Sequence, residues 1–150
     1  MPPRDLARLT EDQLRAFHRN CLLNLDCPDR GDEAAALLPG IHAEYARRAQ
    51  AAAPEDFLPM LDCVGYNVRW HGLGIVERHR LLDWLLVGDL PRINDAPYMA
   101  SWGEPGSPAR WQCLRENIRI YRHRYGNGPG MENAAARWDA DLAYLDAHEP

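Results

Sequence analysis

Residues 107–126 read SPARWQCLRENIRIYRHRYG, and this stretch decides the fold class. Ser107 ahead of Pro108 pairs a side-chain cap with a residue whose fixed φ and missing N–H suit a first helical turn. Trp111, Leu114, Ile118, Tyr121 and Tyr125 then recur every three or four residues, and Gly126 stands where such a pattern ends. The spacing predicts a helix over 108–125. Asn127-Gly128-Pro129-Gly130 turns the chain, after which Met131, Ala135, Trp138, Leu142 and Leu145 repeat the period over 131–147. So short a turn between two helices predicts an antiparallel C-terminal hairpin.

The same signals run upstream. Thr10-Glu11-Asp12-Gln13 is a capping box, and Leu14, Phe17, Cys21, Leu22 and Leu25 follow it, predicting a helix over 11–25. Asp29, Asp32 and Glu33 favour the next helix start, and Leu37, Leu38, Ile41 and Tyr45 extend it over 32–50. Pro39-Gly40 inside that helix predicts a kink or a break. Pro54-Glu55-Asp56 predicts a short helix over Phe57, Leu58, Met60 and Leu61. A helix over 75–87 is expected to bury Ile75, Leu81, Leu82, Leu85 and Leu86 and to stop at Gly88 and Pro91. A long connection anchored by Tyr98, Met99 and Trp102 follows. Residues 65–74, bounded by glycines and holding the only β-like residues, read as an ordered loop with short extended pieces. The expectation is an all-α fold: one domain over 1–150, a single compact bundle of about five to six helices with a C-terminal hairpin and a Gly-bounded loop.

Composition narrows the function classes. Apolar residues make up 46% and charged residues 26% of the 150, which is the balance of a globular chain. The start lacks the apolar run of a secretory signal, and no stretch approaches the roughly 20 apolar residues of a membrane span, which predicts a cytoplasmic chain with no membrane partner. In that setting Cys21, Cys27, Cys63 and Cys113 read as reduced, mostly buried thiols. All 17 basic residues are arginine, and the net charge of −5 divides evenly between the halves, so any basic surface must be local.

One local surface stands out. Residues 107–125 hold Arg110, Arg115, Arg119, Arg122 and Arg124 against the single acid Glu116. Arg115, Arg119 and Arg122 fall together beside the apolar stripe, with Gln112 and His123 next to them, a cationic face suited to phosphate. The competing reading is that these arginines are solvated or pair with acids of the last helix, such as Asp139 and Asp141. A second cluster joins Asn67, Arg69, Trp70 and His71 to Glu77, Arg78, His79 and Arg80. Arginine beside aromatic rings can stack on bases, but the same mixture marks protein-binding hot spots, and the plain alternative is a loop pinned by Tyr66 and Trp70.

Catalytic and metal chemistry find little support. Aliphatic hydroxyls are limited to Thr10, Ser101 and Ser107, two of them placed as helix caps, and Gly126-x-Gly128-x-Gly130 follows a helix rather than a strand. Asp139 and Asp141, two residues apart, point to different sides of their helix. His18, Cys21 and Cys27 are too few and too loosely spaced for a zinc site. No catalytic residue, metal or cofactor is assigned, and the sequence points away from an enzyme.

A set of spaced residues resembles a helical module of poorly characterised bacterial proteins: Gly65-Tyr66-x-Val68, Gly72-Leu73, Arg78, Leu81-Leu82-Asp83, Leu90-Pro91, Trp102-Gly103-x-Pro105-x-Ser107-x-x-Arg110 and Trp138-x-x-Asp141-Leu142-x-Tyr144-Leu145. It covers about 65–146 and is loosely associated with mobile-element and DNA-related proteins; no activity or site residue comes with it. Two functions from different classes follow. The first is a nucleic-acid-binding accessory protein, with DNA the favoured ligand over RNA, using Arg115, Arg119, Arg122, Gln112, His123, Arg69, Trp70 and Arg80. The alternative is a protein-interaction or inhibitor protein with an acidic surface and a Trp/Arg hot spot.

Overall fold

The computed structural model describes residues 5–69, 72–93 and 95–150, so Trp70 and His71 of the expected loop cluster lie outside the described residues. Among the described residues 67% are helical and none is in a strand, far above the roughly 30 to 35% helix of an average globular domain. Seven α-helices occur there: α1 Glu11–Asn24, α2 Gly31–Ala52, α3 Met60–Cys63, α4 Ile75–Val87, α5 Ala96–Ser101, α6 Pro108–Tyr125 and α7 Glu132–Ala147. The five long helices are those predicted, α3 is the predicted short helix displaced toward Cys63, and α5 is an addition. The chain forms two compact units, residues up to 65 with 90–93, and residues 66–89 with 94–150.

In the first unit α1 and α3 pack on α2, as does a 3-10 turn at Leu6–Arg8. The capping box is formed as read: the Thr10 hydroxyl accepts from the Gln13 N–H at 3.1 Å, and the Gln13 side chain accepts from the Thr10 N–H at 2.9 Å. Helix α2 runs unbroken through Pro39, because Pro39 and Gly40 are exposed while Leu38, Ile41 and His42 hold both halves in the core. One missing ladder bond on the wet side does not end a helix that is anchored on its dry side. The short helix opens at Pro59 rather than Pro54, and Phe57 is 56% exposed. Arg48 ties the N-terminal segment down by donating to the carbonyls of Leu6 and Leu9 and to Glu11 and Glu44.

His18 and His42 face each other inside this unit with Nε2 to Nε2 at 3.1 Å, both fully buried, and Tyr45 meets His18 edge-on. One ring must carry its proton on Nε2 and the other leave Nε2 bare, so they are not both charged, and burial favours the neutral form of each. Gly65, at φ 72°, closes over the pair, and a Cβ there would stand 2.9 Å from the Tyr45 ring and 3.2 Å from His18 Nδ1. The position requires glycine.

In the second unit α4, α6 and α7 pack together, α5 lies against α6, and the α6–α7 pairing is the expected C-terminal hairpin. Ser107 caps α6 through its hydroxyl, with Pro108 in the first turn. The Trp111 indole N–H donates to the Leu145 carbonyl at 2.9 Å across the hairpin. The loop over 65–74 is ordered where described: Leu73 N–H returns to the Asn67 carbonyl, and Tyr66 and Val68 are buried. Helix α5 replaces part of the expected connection; Asp95 caps it and Trp102 after it is fully buried. Helix α4 departs from its predicted burial. Ile75 is 53% exposed, and the core side is Arg78, Leu81, Leu82 and Leu85, which rotates the helix relative to a purely apolar reading.

The histidine pair sets an acid limit on the first unit. Burial holds the His18 pKa down at about 4 from 6.5, and burial, with a smaller contribution from His18, holds His42 well below its ordinary value. Above pH 6.5 both states are neutral and stability is full; as pH falls toward 4 the unfolded chain takes up protons that the folded one refuses. Urea unfolding is expected to show a loss of about 2 kcal/mol between pH 7 and pH 5 from His18 alone. His18→Phe, of similar bulk, is expected to remove that share of the slope; equal stability at both pH values in the parent chain would refute the assignment.

Candidate functional site

The α6 arginines have carboxylate partners. Arg115 Nε lies 2.6 Å from Asp146 and Arg122 Nε lies 3.0 Å from Asp139, both acids on α7, while Arg119 pairs with Glu116 at 2.8 Å one turn earlier on α6. The bond from Arg115 holds the Asp146 carboxyl below its ordinary pKa. Arg122 also donates to the Asn127 side chain at 3.3 Å. Gln112, Arg119 and His123 share the outermost line of α6 and are exposed, as is Arg124. Arg69 is exposed in the 65–74 loop and Arg80 is half-buried on α4. The three sequence-predicted α6 arginines therefore sit on one hairpin, but each shares its charge with an acid, and Arg69 and Arg80 stand on other elements.

Arg110, the fifth arginine of that stretch, is structural. It is 4% exposed and donates to four carbonyls, those of Trp102, Leu85, Gly88 and Gly103, at 2.9 to 3.1 Å. Burying a guanidinium is tolerable only when its fork of donors is satisfied, and here carbonyl oxygens around the ends of α4 and α5 do so. Gly103 at φ 64° makes the corner, where a Cβ would press on Ala109 at 2.9 Å.

The densest polar group of the second unit joins residues that the sequence places apart, and Asp141, expected to answer the α6 arginines, answers Arg78 and Tyr66 instead. Asp141 is fully buried on α7; its Oδ2 accepts from the Tyr66 hydroxyl at 2.6 Å and from Arg78 Nε at 2.8 Å, and Arg78 also donates to the Leu73 carbonyl. His79 Nε2 lies 3.3 Å from the other oxygen. The His79 ring stacks on Tyr144 at 3.9 Å, and the Tyr144 hydroxyl donates to Asp83 at 2.8 Å. Desolvation lowers the His79 pKa, opposed by Asp141, and burial with the Asp141 charge drives the Tyr66 pKa far up. Phenol and guanidinium thus stay fixed as donors to one carboxylate. The signal was present: Asp141 interrupts the stripe of Trp138 and Leu145, as Arg78 interrupts that of Leu81, Leu82 and Leu85. Asp139 and Asp141 do point to different sides, Asp139 outward to Arg122 and Asp141 into the core.

Several motif residues that carry the resemblance, namely Tyr66, Arg78, Trp102, Gly103, Ser107, Arg110, Trp138 and Asp141, are the buried, capping or corner residues of this unit. They build the scaffold, and the outer sides of α4 and α6 stay in contact with solvent. On α6 the outer line is polar. On α4 it is not: with Arg78, Leu81, Leu82 and Leu85 inward, the opposite pole at 100° per residue carries Val76, Arg80, Asp83 and Val87. Val76 is 48% and Val87 65% exposed, with Ile75 beside them. No group of three or more His, Cys, Asp or Glu side chains suited to a metal occurs among the described residues, and His18, the one histidine weighed as a ligand, is turned to His42.

The two kinds of ion pair are expected to differ in energy. Asp141→Asn leaves the Arg78 charge buried without its counter-ion and should destabilise the chain by about 3 to 5 kcal/mol in urea unfolding. Arg115→Gln or Asp146→Asn, on the surface, should each stay within about 1 kcal/mol. Equal effects at the two places would contradict the distinction between scaffold and surface. No family model, curated protein or solved structure matches this chain, and the module resembled over 65–146 brings no activity to it.

Proposed function

We propose that this chain acts by binding another protein through the outer face of α4. The observation that carries the reading is the pair of exposed valines, Val76 and Val87, at the pole opposite the core. An amphipathic helix ordinarily places its most polar residues there, so apolar side chains at that pole lose nothing in the fold if replaced and gain free energy only when covered. Arg80 and Asp83 between them give the face direction and specificity, the usual complement of an apolar interface centre. The body's net charge of −5 also favours a protein partner over a polyanion.

Nucleic-acid binding is the second reading, supported by the outward line of Gln112, Arg119 and His123 with exposed Arg124 on α6. Its weakness is chemical. A phosphate at Arg115 or Arg122 must displace Asp146 or Asp139, which remain attached nearby and repel it.

One capture experiment separates them. The intact chain and its Val76→Asp/Val87→Asp variant are used as baits in a native lysate with and without nuclease. The expected outcome is a partner retained after nuclease treatment and weakened at least tenfold by the variant. A partner lost on nuclease treatment, with log K falling against log salt by about 0.9 per duplex phosphate contact and that slope removed by Arg115→Gln/Arg119→Gln/Arg122→Gln, would establish the second reading instead.

A further inference from the structure

The outer face of α4 is complementary to itself. Along the pole, Val76 precedes Arg80 by four residues and Val87 follows Asp83 by four, with exposures of 48% and 65% for the two valines. The pattern reads apolar, positive, negative, apolar, and it is symmetric in position but opposite in charge about a point midway between Arg80 and Asp83. If two such helices meet antiparallel across a two-fold axis through that point, Val76 lies against Val87 of the other copy and Arg80 lies against Asp83 of the other copy, each contact made twice. This is the requirement of an isologous interface, in which one patch must satisfy itself. A parallel meeting would instead set Arg80 near Arg80 and Asp83 near Asp83, and like charges face to face disfavour it.

We infer that the occupant of this face is a second copy of the chain, joined through an antiparallel α4–α4 contact. The inference rests on the reading of α4 as an interface and names the partner. The buried scaffold holds the helix ready for it, since Arg78 is fixed on Asp141 at 2.8 Å on the opposite side and α4 cannot roll without breaking that pair. Asp83 already accepts from Tyr144 at 2.8 Å, which orients its carboxylate while leaving acceptor capacity for a guanidinium. A contact between two 13-residue helices lies at the small end of specific interfaces, so the dimer is weak and concentration-dependent.

Sedimentation equilibrium of the full chain from low micromolar to millimolar concentration reads the association directly. The expected result is a monomer–dimer equilibrium whose Kd rises at least tenfold in Val87→Asp and in Arg80→Asp, with helical circular dichroism unchanged. Arg80→Asp brings four carboxylates together at the axis; adding Asp83→Arg restores opposite charges and should return Kd to within about threefold of the parent. Because Asp83 also holds Tyr144, Val87→Asp, at an exposed position with no such bond, keeps the test decisive should the charge variants lose structure. A parent chain that stays monomeric throughout, a dimer indifferent to Val87→Asp, or a folded charge-swapped chain that stays monomeric overturns the inference. A monomeric parent whose foreign partner is lost in Val76→Asp/Val87→Asp removes the dimer alone and keeps the α4 interface. A monomeric parent whose partner is untouched by that variant removes both.

Discussion

The carboxylate of Asp141 is the constraint on which the second unit depends. A bare carboxylate in an apolar interior is costly, so the chain must bring donors to it, and those donors come from two other places, Tyr66 in the loop and Arg78 on α4. Three segments far apart in sequence are thereby fixed to one atom, Oδ2. Apolar packing alone would let α4 turn by a fraction of a helical step at little penalty, because leucines pack acceptably in several rotations. A buried ion pair with a 2.8 Å bond does not. The orientation of α4, and hence which residues stand at its outer pole, follows from a polar contact rather than from the leucines around it.

Arg110 does the corresponding work at the far end of α4. Its side chain gathers the carbonyls of Leu85 and Gly88 with those of Trp102 and Gly103, closing the end of α4 against the start of α6. The first unit solves its polar interior differently. His18 and His42 satisfy one nitrogen each through a shared contact and leave both Nδ1 atoms without a hydrogen-bond partner among the described residues. An imidazole can remain buried in this way because it has an uncharged form at neutral pH, whereas Arg78 and Arg110 have none and must be fully answered.

Those differences mark where sequence was readable. The long helices, the Thr10 capping box, the Ser107 cap and the hairpin were legible because each is written in neighbours within four residues. The unbroken α2 was not, since the exposed side of Pro39 and the buried side at Leu38 and Ile41 are properties of the packed helix. The outward Ile75 was misread for a related reason: an apolar count assigns burial to isoleucine, but Arg78 claimed the inward direction once Asp141 was there to receive it. Nothing within four residues of Arg78 announces a carboxylate 63 residues later. The five arginines of residues 107–125 form a local charge, yet its neutralisation by Asp139 and Asp146 and the diversion of Arg110 to carbonyls are tertiary facts. What the sequence did offer was the interruption itself, one charged residue on each of two apolar stripes.

The two exposed surfaces differ in what a partner must displace. On α6 the guanidinium groups of Arg115, Arg119 and Arg122 already have acids at 2.6 to 3.0 Å, and a surface pair of this kind is worth only about 0 to 1 kcal/mol, so breaking it is easy. Ease of breaking does not make phosphate binding strong, however, because the released carboxylate stays on the same hairpin and cancels much of the new attraction. At Val76 and Val87 on α4 the competitor is water alone. Covering apolar surface returns about 25 cal/mol for each Å² removed from water, and no group on the helix loses a partner when Val76 and Val87 are covered. A small apolar contact can therefore outweigh a more conspicuous charged one that exchanges one anion for another, and this ordering is the physical ground for proposing α4 rather than α6 as a binding surface.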